Sequence, residues 1–151
     1  ETMGVDVIEA GFPAASEGDF AAVSAIAEQS KSAIICGLAR STPNDIERCA
    51  EAVKKSARPR IHTFISTSPL HMKYKLQMEP EAVYEAVIDS VTYARRFTDD
   101  VEWSPEDGSR TEHDFLCRTV EAAIDAGRGL GESRCPQTTG KTDHGRLGTE
   151  N

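Results

Sequence analysis

The sequence predicts an α/β fold of about four strand–helix units, and three observations lead to this prediction. Short β-branched runs alternate with amphipathic segments along residues 1–127. The predicted strands begin near residues 5, 33, 61 and 100, at spacings of 28, 28 and 39 residues. These spacings are close to the roughly 31 residues per unit of a (β/α)8 TIM barrel. A doubly wound open sheet has a similar period, so spacing alone does not choose between the two.

The first two units have clear start signals. A strand is predicted over residues 5–9, followed by a helix over Glu17–Gln29 that Ser16 caps, with an acidic residue three positions after the cap. A second strand is predicted over residues 33–38. Thr42 then caps a second helix, because a proline follows it at the first helical position and apolar residues follow at helical spacing.

The last two units are predicted in the same way. A third strand over residues 60–65 precedes a helix that opens at Pro80. A fourth, shorter strand covers residues 100–104, after which Thr111 is predicted to cap a helix that stops at Gly127. The helix that opens at Pro80 has an apolar stripe of Val83, Val87, Val91 and Ala94.

Composition narrows the classes of function. The net charge of -8 repels phosphate backbones, and Lys and Arg are scattered, so we expect no nucleic-acid partner. No run approaches the roughly 18 apolar residues of a membrane span and no secretory leader begins the chain, so we expect no membrane partner and a cytoplasmic location. The cysteines lack a C-x-x-C pair and are predicted to be buried free thiols; they are Cys36, Cys49, Cys117 and Cys135.

Composition changes abruptly after Gly127. Residues 1–127 carry a net charge of -9, whereas residues 128–151 carry +1 and hold five of the 11 glycines. Such a segment buries too little apolar surface to offset its ordering entropy. We therefore predict a folded domain over residues 1–127 and a disordered or extraneous tail over residues 128–151.

Polar residues end the predicted strands, which is where a barrel builds its active site. They are Glu9, Arg40, His62, Ser104 and Glu106. This mixture suits proton transfer next to a carbonyl, and we expect Glu106 to lie beside His62 at a common cavity. Structural interpretations stay open: Glu9 as a rim ion pair, His62 as a satisfied core histidine, and residues 104–107 as a turn.

Four segments at these strand ends carry a resemblance to a known family. They read GVDVIEAGFPAAS at 4–16, ICGLAR at 35–40, RPRIHTFISTSPLHMKYKL at 58–76 and DDVEWSPEDGSRTE at 99–112. In these segments the chain resembles the 2-isopropylmalate synthases, barrel enzymes that perform a Claisen-type condensation of an acyl-CoA with a 2-keto acid. The resemblance implies that residues 1–127 are a partial TIM-barrel catalytic domain, a partial (β/α)8 barrel whose four strands are the second to fifth.

The resemblance also implies roles for six side chains. Glu106 matches a glutamate implicated in catalysis, and Glu9 matches a strand-end glutamate near the pocket. The other four are implied to bind the keto acid, the two apolar ones shaping the pocket for a branched side chain; they are Leu38, His62, Phe64 and Ser104.

The implied reaction of the complete enzyme is the condensation of acetyl-CoA with 2-ketoisovalerate to 2-isopropylmalate, in leucine biosynthesis. It uses a divalent cation, Mg or Mn, and the complete enzyme is implied to be a homodimer. The family's metal ligands, an aspartate after arginine on its first strand and a His-x-His pair on a later strand, are absent from this chain. We therefore expect the fragment alone to be inactive.

Two alternatives remain open at this point. Sibling synthases that make citramalate, homocitrate or methylthioalkylmalate share this chemistry and differ in the pocket. A noncatalytic remnant that binds a keto acid or a barrel partner is the alternative from another class.

Overall fold

The computed structural model describes residues 3–128, which form one parallel sheet with helices packed on it. The predicted tail lies outside the described residues from position 129 onward. The elements, in chain order, are β1 (Val7–Gly11), α1 (Glu17–Gln29), β2 (Ile34–Arg40), α2 (Pro43–Val53), β3 (Pro59–Ser66), α3 (Pro69–His71), a π-helix (Met72–Leu76), α4 (Pro80–Ala94), β4 (Val101–Glu106), a 3-10 turn (Gly108–Arg110) and α5 (His113–Arg128).

The strand order distinguishes the two folds that the spacing left open. The four strands are parallel and lie in the order β1-β2-β3-β4. Because strand–helix–strand crossovers are right-handed, strands added in one direction place all their helices on the same face. A doubly wound sheet instead reverses its strand order and carries helices on both faces. The described residues therefore form part of a (β/α)8 barrel, as predicted.

Local sequence signals start the first two helices where they were predicted. The Asp19 amide donates to the Ser16 hydroxyl at 3.1 Å, and the Asp45 amide donates to the Thr42 hydroxyl at 3.4 Å. Each bond satisfies an amide that has no partner within its helix. Pro43 occupies the first turn of α2, where its missing amide hydrogen costs nothing.

One face of the sheet, here called the helix-covered face, holds the apolar core. Ile35 and Ala39 of β2 and Ile61 of β3 are fully buried on it, against residues of α1 and α2 such as Val23 and Ile46. Ile65 of β3 packs with the predicted stripe of α4, which is buried as far as Ala94. Burial of these side chains provides the main force that attaches the helices to the sheet.

Two predicted features of the last helix are wrong. Thr111 does not cap it, because the buried Thr111 hydroxyl lies 2.6 Å from the Thr67 hydroxyl and donates to the Asp107 carbonyl, and α5 begins at His113. The helix also continues through Gly127 to Arg128. A tertiary contact to the segment after β3 uses the hydroxyl that the local pattern assigned to the cap.

The strands also extend one or two residues past their predicted carboxyl ends. They end at Gly11, Arg40, Ser66 and Glu106. Strand pairing uses backbone groups, so the ladder continues through polar residues that end an apolar run. Glu106 consequently lies within β4, paired with Ser66 of β3, rather than in a loop.

The segment after β3 contains a π-helix, which the sequence analysis did not predict. It covers Met72–Leu76 and ends at Gln77, whose left-handed backbone has a φ of 54°. None of the helices in the described range 3–128 is long and apolar enough to cross a membrane.

Candidate functional site

The second face of the sheet, here called the polar face, carries all six predicted site residues. Side chains alternate between the two faces of a strand, so the residues between the core positions point away from the helices. Strand register brings them side by side: Leu38 pairs with His62, Phe64 with Ser104, and Ser66 with Glu106. Glu9 of β1 pairs with Cys36 of β2.

Three predicted residues form a hydrogen-bonded group, here called the histidine cluster: Glu9, His62 and Ser104. Nδ1 of His62 lies 3.0 Å from Oε1 of Glu9, and Nε2 lies 2.7 Å from the Ser104 hydroxyl. A carboxylate oxygen accepts, so Nδ1 donates to Glu9, and Nε2 bonds to the Ser104 hydroxyl. The His62 side chain is 13% exposed, whereas Glu9 is 53% exposed. The cluster therefore joins β1, β3 and β4 through one ordered imidazole.

The two predicted apolar pocket residues adjoin this cluster. Leu38 is the register partner of His62, and Phe64 is the register partner of Ser104. Both side chains are half-buried. They give the polar face an apolar patch next to its central hydrogen-bonding groups, a combination found in pockets for small ligands that have a polar and an apolar part.

Glu106 belongs to a different group, here called the lysine–glutamate cluster: Ser66, Lys75 and Glu106. Nζ of Lys75 lies 2.6 Å from Oε1 and 2.7 Å from Oε2 of Glu106, and the Ser66 hydroxyl donates to Oε2. Burial raises the pKa of Glu106, but the hydrogen bonds from Lys75 and Ser66 outweigh it and hold that pKa below its ordinary value. Glu106 is therefore ionised at neutral pH.

The two clusters share the polar face but are separate. His62 pairs with Glu102, and Glu106 lies four residues further along β4. At about 3.3 Å per residue this places their backbones about 13 Å apart along the strand direction. His62 and Glu106 therefore lie on the same face of the sheet but have different hydrogen-bond partners, and a cavity common to both stays a prediction.

Sequence reasoning missed Lys75, Ser66 and the group around Asp107. The Ser68 hydroxyl and the Arg110 guanidinium both bond to Asp107, lowering its pKa, and His71 Nδ1 lies 3.4 Å from its Oδ2. The polar run Ser66–Ser68 after an apolar strand was a usable signal. Nothing in the local pattern marked Lys75, because it lies 31 residues from Glu106 in sequence.

One group of possible metal ligands occurs among residues 3–128. Ligand atoms of Glu9, Cys36 and His62 lie within 4.8 Å of one another. Burial, followed by the nearby carboxylates Glu102 and Glu9, raises the pKa of the Cys36 thiol to about 12. A protonated thiol is a poor ligand, and Mg²⁺ and Mn²⁺ prefer oxygen donors. This group therefore does not fit a Mg²⁺ or Mn²⁺ site.

Comparisons with known proteins agree with this architecture. The chain is 68% identical over 127 residues to the 2-isopropylmalate synthase of Bradyrhizobium sp. (strain ORS 278), which is 84% of this chain and 24% of that protein. It is 69% identical over 125 residues to the 2-isopropylmalate synthase of Bradyrhizobium sp. (strain BTAi1 / ATCC BAA-1182), which is 83% of this chain and 24% of that protein. It is 68% identical over 127 residues to the 2-isopropylmalate synthase of Rhodopseudomonas palustris (strain HaA2), which is 84% of this chain and 24% of that protein.

These relatives are much longer than the chain. The chain spans about a quarter of the length of the curated relatives it matches. The family model described as HMGL-like matches residues 1–148, which is nearly the whole sequence. The chain therefore belongs to the HMGL-like family.

Proposed function

We propose that the chain is a segment of the catalytic barrel of a 2-isopropylmalate synthase. The observation that carries this proposal is the histidine cluster beside Leu38 and Phe64, in a chain 68% identical to proteins of that name. The complete enzyme would be an acyltransferase that condenses acetyl-CoA with 2-ketoisovalerate to give 2-isopropylmalate, for leucine biosynthesis. The catalytic unit would include residues 1–127.

The histidine cluster would bind the acceptor keto acid. The Nδ1 proton of His62 is held by Glu9 and its Nε2 is held by Ser104, so the ring is fixed before a ligand arrives. Such preorganisation lowers the ordering cost of binding. Leu38 and Phe64 would contact the branched side chain of the keto acid, since both are half-buried next to the cluster.

Glu106 would supply the catalytic carboxylate. Its pKa is held low by Lys75 and Ser66, so at neutral pH the group is an ionised carboxylate. The complete enzyme would use a divalent cation, Mg or Mn, which would supply Lewis-acid chemistry. The group of donors at Glu9 does not fit that cation, so we propose that its ligands lie outside residues 3–128 and that the chain alone has no synthase activity.

The same proposal implies the partners and the location of the complete enzyme. Its partners would be the two small-molecule substrates and a second copy of itself, with no nucleic acid and no membrane partner, and its location would be the cytoplasm. The net charge of -8 supports the exclusion of nucleic acid.

A chimaera tests the proposed function. The 127 aligned residues of this chain replace the matching segment of the Bradyrhizobium sp. (strain ORS 278) relative, which supplies the remainder of the barrel. Release of free CoA from acetyl-CoA is then measured with 2-ketoisovalerate, pyruvate and 2-oxoglutarate as acceptors. We expect the highest kcat/KM with 2-ketoisovalerate. A preference for 2-oxoglutarate would transfer the assignment to a homocitrate-forming sibling.

Two controls complete the design. The 151-residue chain by itself is expected to release no CoA above the buffer rate, and the unmodified relative defines full turnover. A folded chimaera without turnover, with the unmodified relative active, would instead identify the chain as a noncatalytic remnant.

A further inference from the structure

Lys75 reaches the polar face from an unusual segment. It lies in the π-helix Met72–Leu76, directly after β3 and α3. Gln77 ends this helix in the left-handed region, with its amide donating to the Met72 carbonyl, and the Met78 amide also donates to that carbonyl at 3.0 Å. Single π-helical turns are uncommon and occur often at functional sites, because the extra residue per turn redirects side chains.

The contact between Lys75 and Glu106 involves more bonds than a single-contact surface ion pair. The Lys75 ammonium lies within 2.7 Å of both oxygens of Glu106, and Ser66, which is fully buried, adds a third bond to that carboxylate. By contrast, Lys55 makes a single 3.2 Å contact with Glu28, and both of those side chains are more than half exposed. Exposed single-contact pairs contribute little. The Glu106 carboxylate is instead held in one orientation by two elements.

We propose that Lys75 is the positioning residue for Glu106: its ammonium orients both oxygens of the carboxylate on the polar face. The catalytic consequence of this rests on the proposed function, in which Glu106 is the catalytic carboxylate. The orientation and ionisation of Glu106 do not depend on that function.

The electrostatic surroundings agree with this geometry. The pKa of Glu106 is lowered by Lys75 and Ser66 against the opposing effect of burial, with a smaller contribution from His71. The neighbouring Asp107 carboxylate has different partners: it accepts hydrogen bonds from the Ser68 hydroxyl and the Arg110 guanidinium. Among residues 3–128, the charged and titratable groups that act on the carboxylate are Lys75 and His71, both from the segment after β3.

A titration of the carboxyl group tests the proposal without any assay of activity. The 151-residue chain is labelled with [5-13C]glutamate, and the Glu106 signal is assigned by its loss in Glu106→Gln. We expect Glu106 to titrate below the ordinary glutamate range in the unsubstituted chain. Its titration should shift to higher pH in Lys75→Met and remain low in Lys75→Arg. Lys73→Met is the matched control, because Lys73 lies in the same π-helix and is exposed.

Two results of this titration would overturn the proposal. One is an ordinary glutamate pKa for Glu106 in the unsubstituted chain. The other is an equal titration of Glu106 in Lys75→Met and Lys73→Met. Circular dichroism of each variant shows whether a shift accompanies loss of helix, and Lys75→Arg supplies the charge-preserving comparison if Lys75→Met unfolds.

The chimaera tests the catalytic consequence. Lys75→Met should lower kcat on the order of 10²-fold, since loss of positioning at a reacting group has effects of that size. The acid limb of its pH–rate profile should move to higher pH, the KM for 2-ketoisovalerate should change less than kcat, and Lys75→Arg should restore most of the rate. Unchanged kcat and an unchanged profile would contradict the positioning role. An unsubstituted chimaera without turnover would refute the proposed function, and the carboxyl titration would still decide whether Lys75 holds Glu106.

Discussion

The two faces of the sheet are built from the same strands but differ in burial and in the side chains that they carry. On β3, Ile61 and Ile65 face the helices and are buried among aliphatic side chains. The alternating residues His62 and Phe64 face the other way, remain partly accessible and lie among the predicted site residues. A change of one position along the strand therefore moves a side chain from the packing surface to the candidate site.

Because of this difference, substitutions on the two faces should change different properties of the protein. The helix-covered face is closely packed, so changes there alter the free energy of unfolding. The polar face consists of hydrogen-bonded clusters with accessible edges, so changes there alter binding or turnover. Substitutions on both faces of the same strands test whether this separation holds.

The largest expected effect is on the polar face, at Glu106. Glu106→Gln removes the carboxylate charge and should lower kcat of the chimaera by about 10²- to 10⁴-fold, the usual contribution of a general acid or base. The KM for 2-ketoisovalerate should change little. Steady-state kinetics of CoA release measures both constants.

His62→Gln supplies the comparison within the same face. It removes an imidazole that bonds to Glu9 and Ser104 and should mainly raise the KM for the keto acid. If Glu106→Gln and His62→Gln change kcat and KM in the same proportion, the two clusters do not have separate roles.

The second effect is on the helix-covered face, at Ile61. Ile61→Ala leaves a cavity between β3 and the helices, where Ile61 is fully buried, and should cost about 2–5 kcal/mol of stability. Urea denaturation of the 151-residue chain, followed by circular dichroism, measures the loss. Phe64→Ala on the polar face is the control and should cost less, because Phe64 is only half-buried. An equal or larger loss of stability for Phe64→Ala would show that the two faces do not differ in packing.

A smaller effect is expected at Gly37, where β2 meets α2. A Cβ atom there would lie 2.5 Å from Sγ of Cys49 and 3.2 Å from Cγ1 of Val53. Gly37→Ala should therefore destabilise the chain by about 1–3 kcal/mol, as overpacking does. Gly18→Ala in α1 is the matched control, since its Cβ would make only an ordinary 3.6 Å contact with Ser16. The same urea titration compares the two variants, and equal midpoints would show that the sheet and α2 are not closely packed at Gly37.

The smallest effect is the pH dependence of the lysine–glutamate cluster. The pKa of Glu106 is lowered in the folded chain, because the bonds from Lys75 and Ser66 outweigh burial. Its contribution to stability is therefore complete above the unfolded glutamate value of about 4.3. It is lost as pH falls through the lower folded value. The stability difference between the unsubstituted chain and Lys75→Met should shrink as the pH falls below about 4. Urea titrations at pH 7 and pH 3 measure it, and a constant difference would exclude this linkage.

Local signals were sufficient for most of the fold. The caps at Ser16 and Thr42 and the stripe from Val83 to Ala94 are properties of short segments, and they predicted α1, α2 and α4 correctly. Thr111 had the same local pattern, but its hydroxyl bonds to Thr67, which lies 44 residues away. A cap prediction fails where a tertiary partner competes for the same side chain.

The candidate site, like the fold, could be predicted only where a local sequence signal was present. Glu9, His62 and Ser104 were candidates because each ends or continues an apolar run, which is a local signal; their roles as site residues came from the resemblance and stay predictions. Lys75 was not found, because its contact with Glu106 depends on the path of the π-helix and on the extension of β4. Neither feature has a periodic pattern in the sequence.

The amino-acid sequence by itself determined the alternation of strands and helices, the caps of α1 and α2 and the identity of the polar residues on the strands, because propensity, capping and hydrophobic period act over a few residues. Only the tertiary structure decided the strand order, the division of the polar residues into two clusters and the partnership of Lys75 with Glu106. These depend on strand register and on contacts between segments distant along the chain, where each group competes for partners that no local pattern specifies.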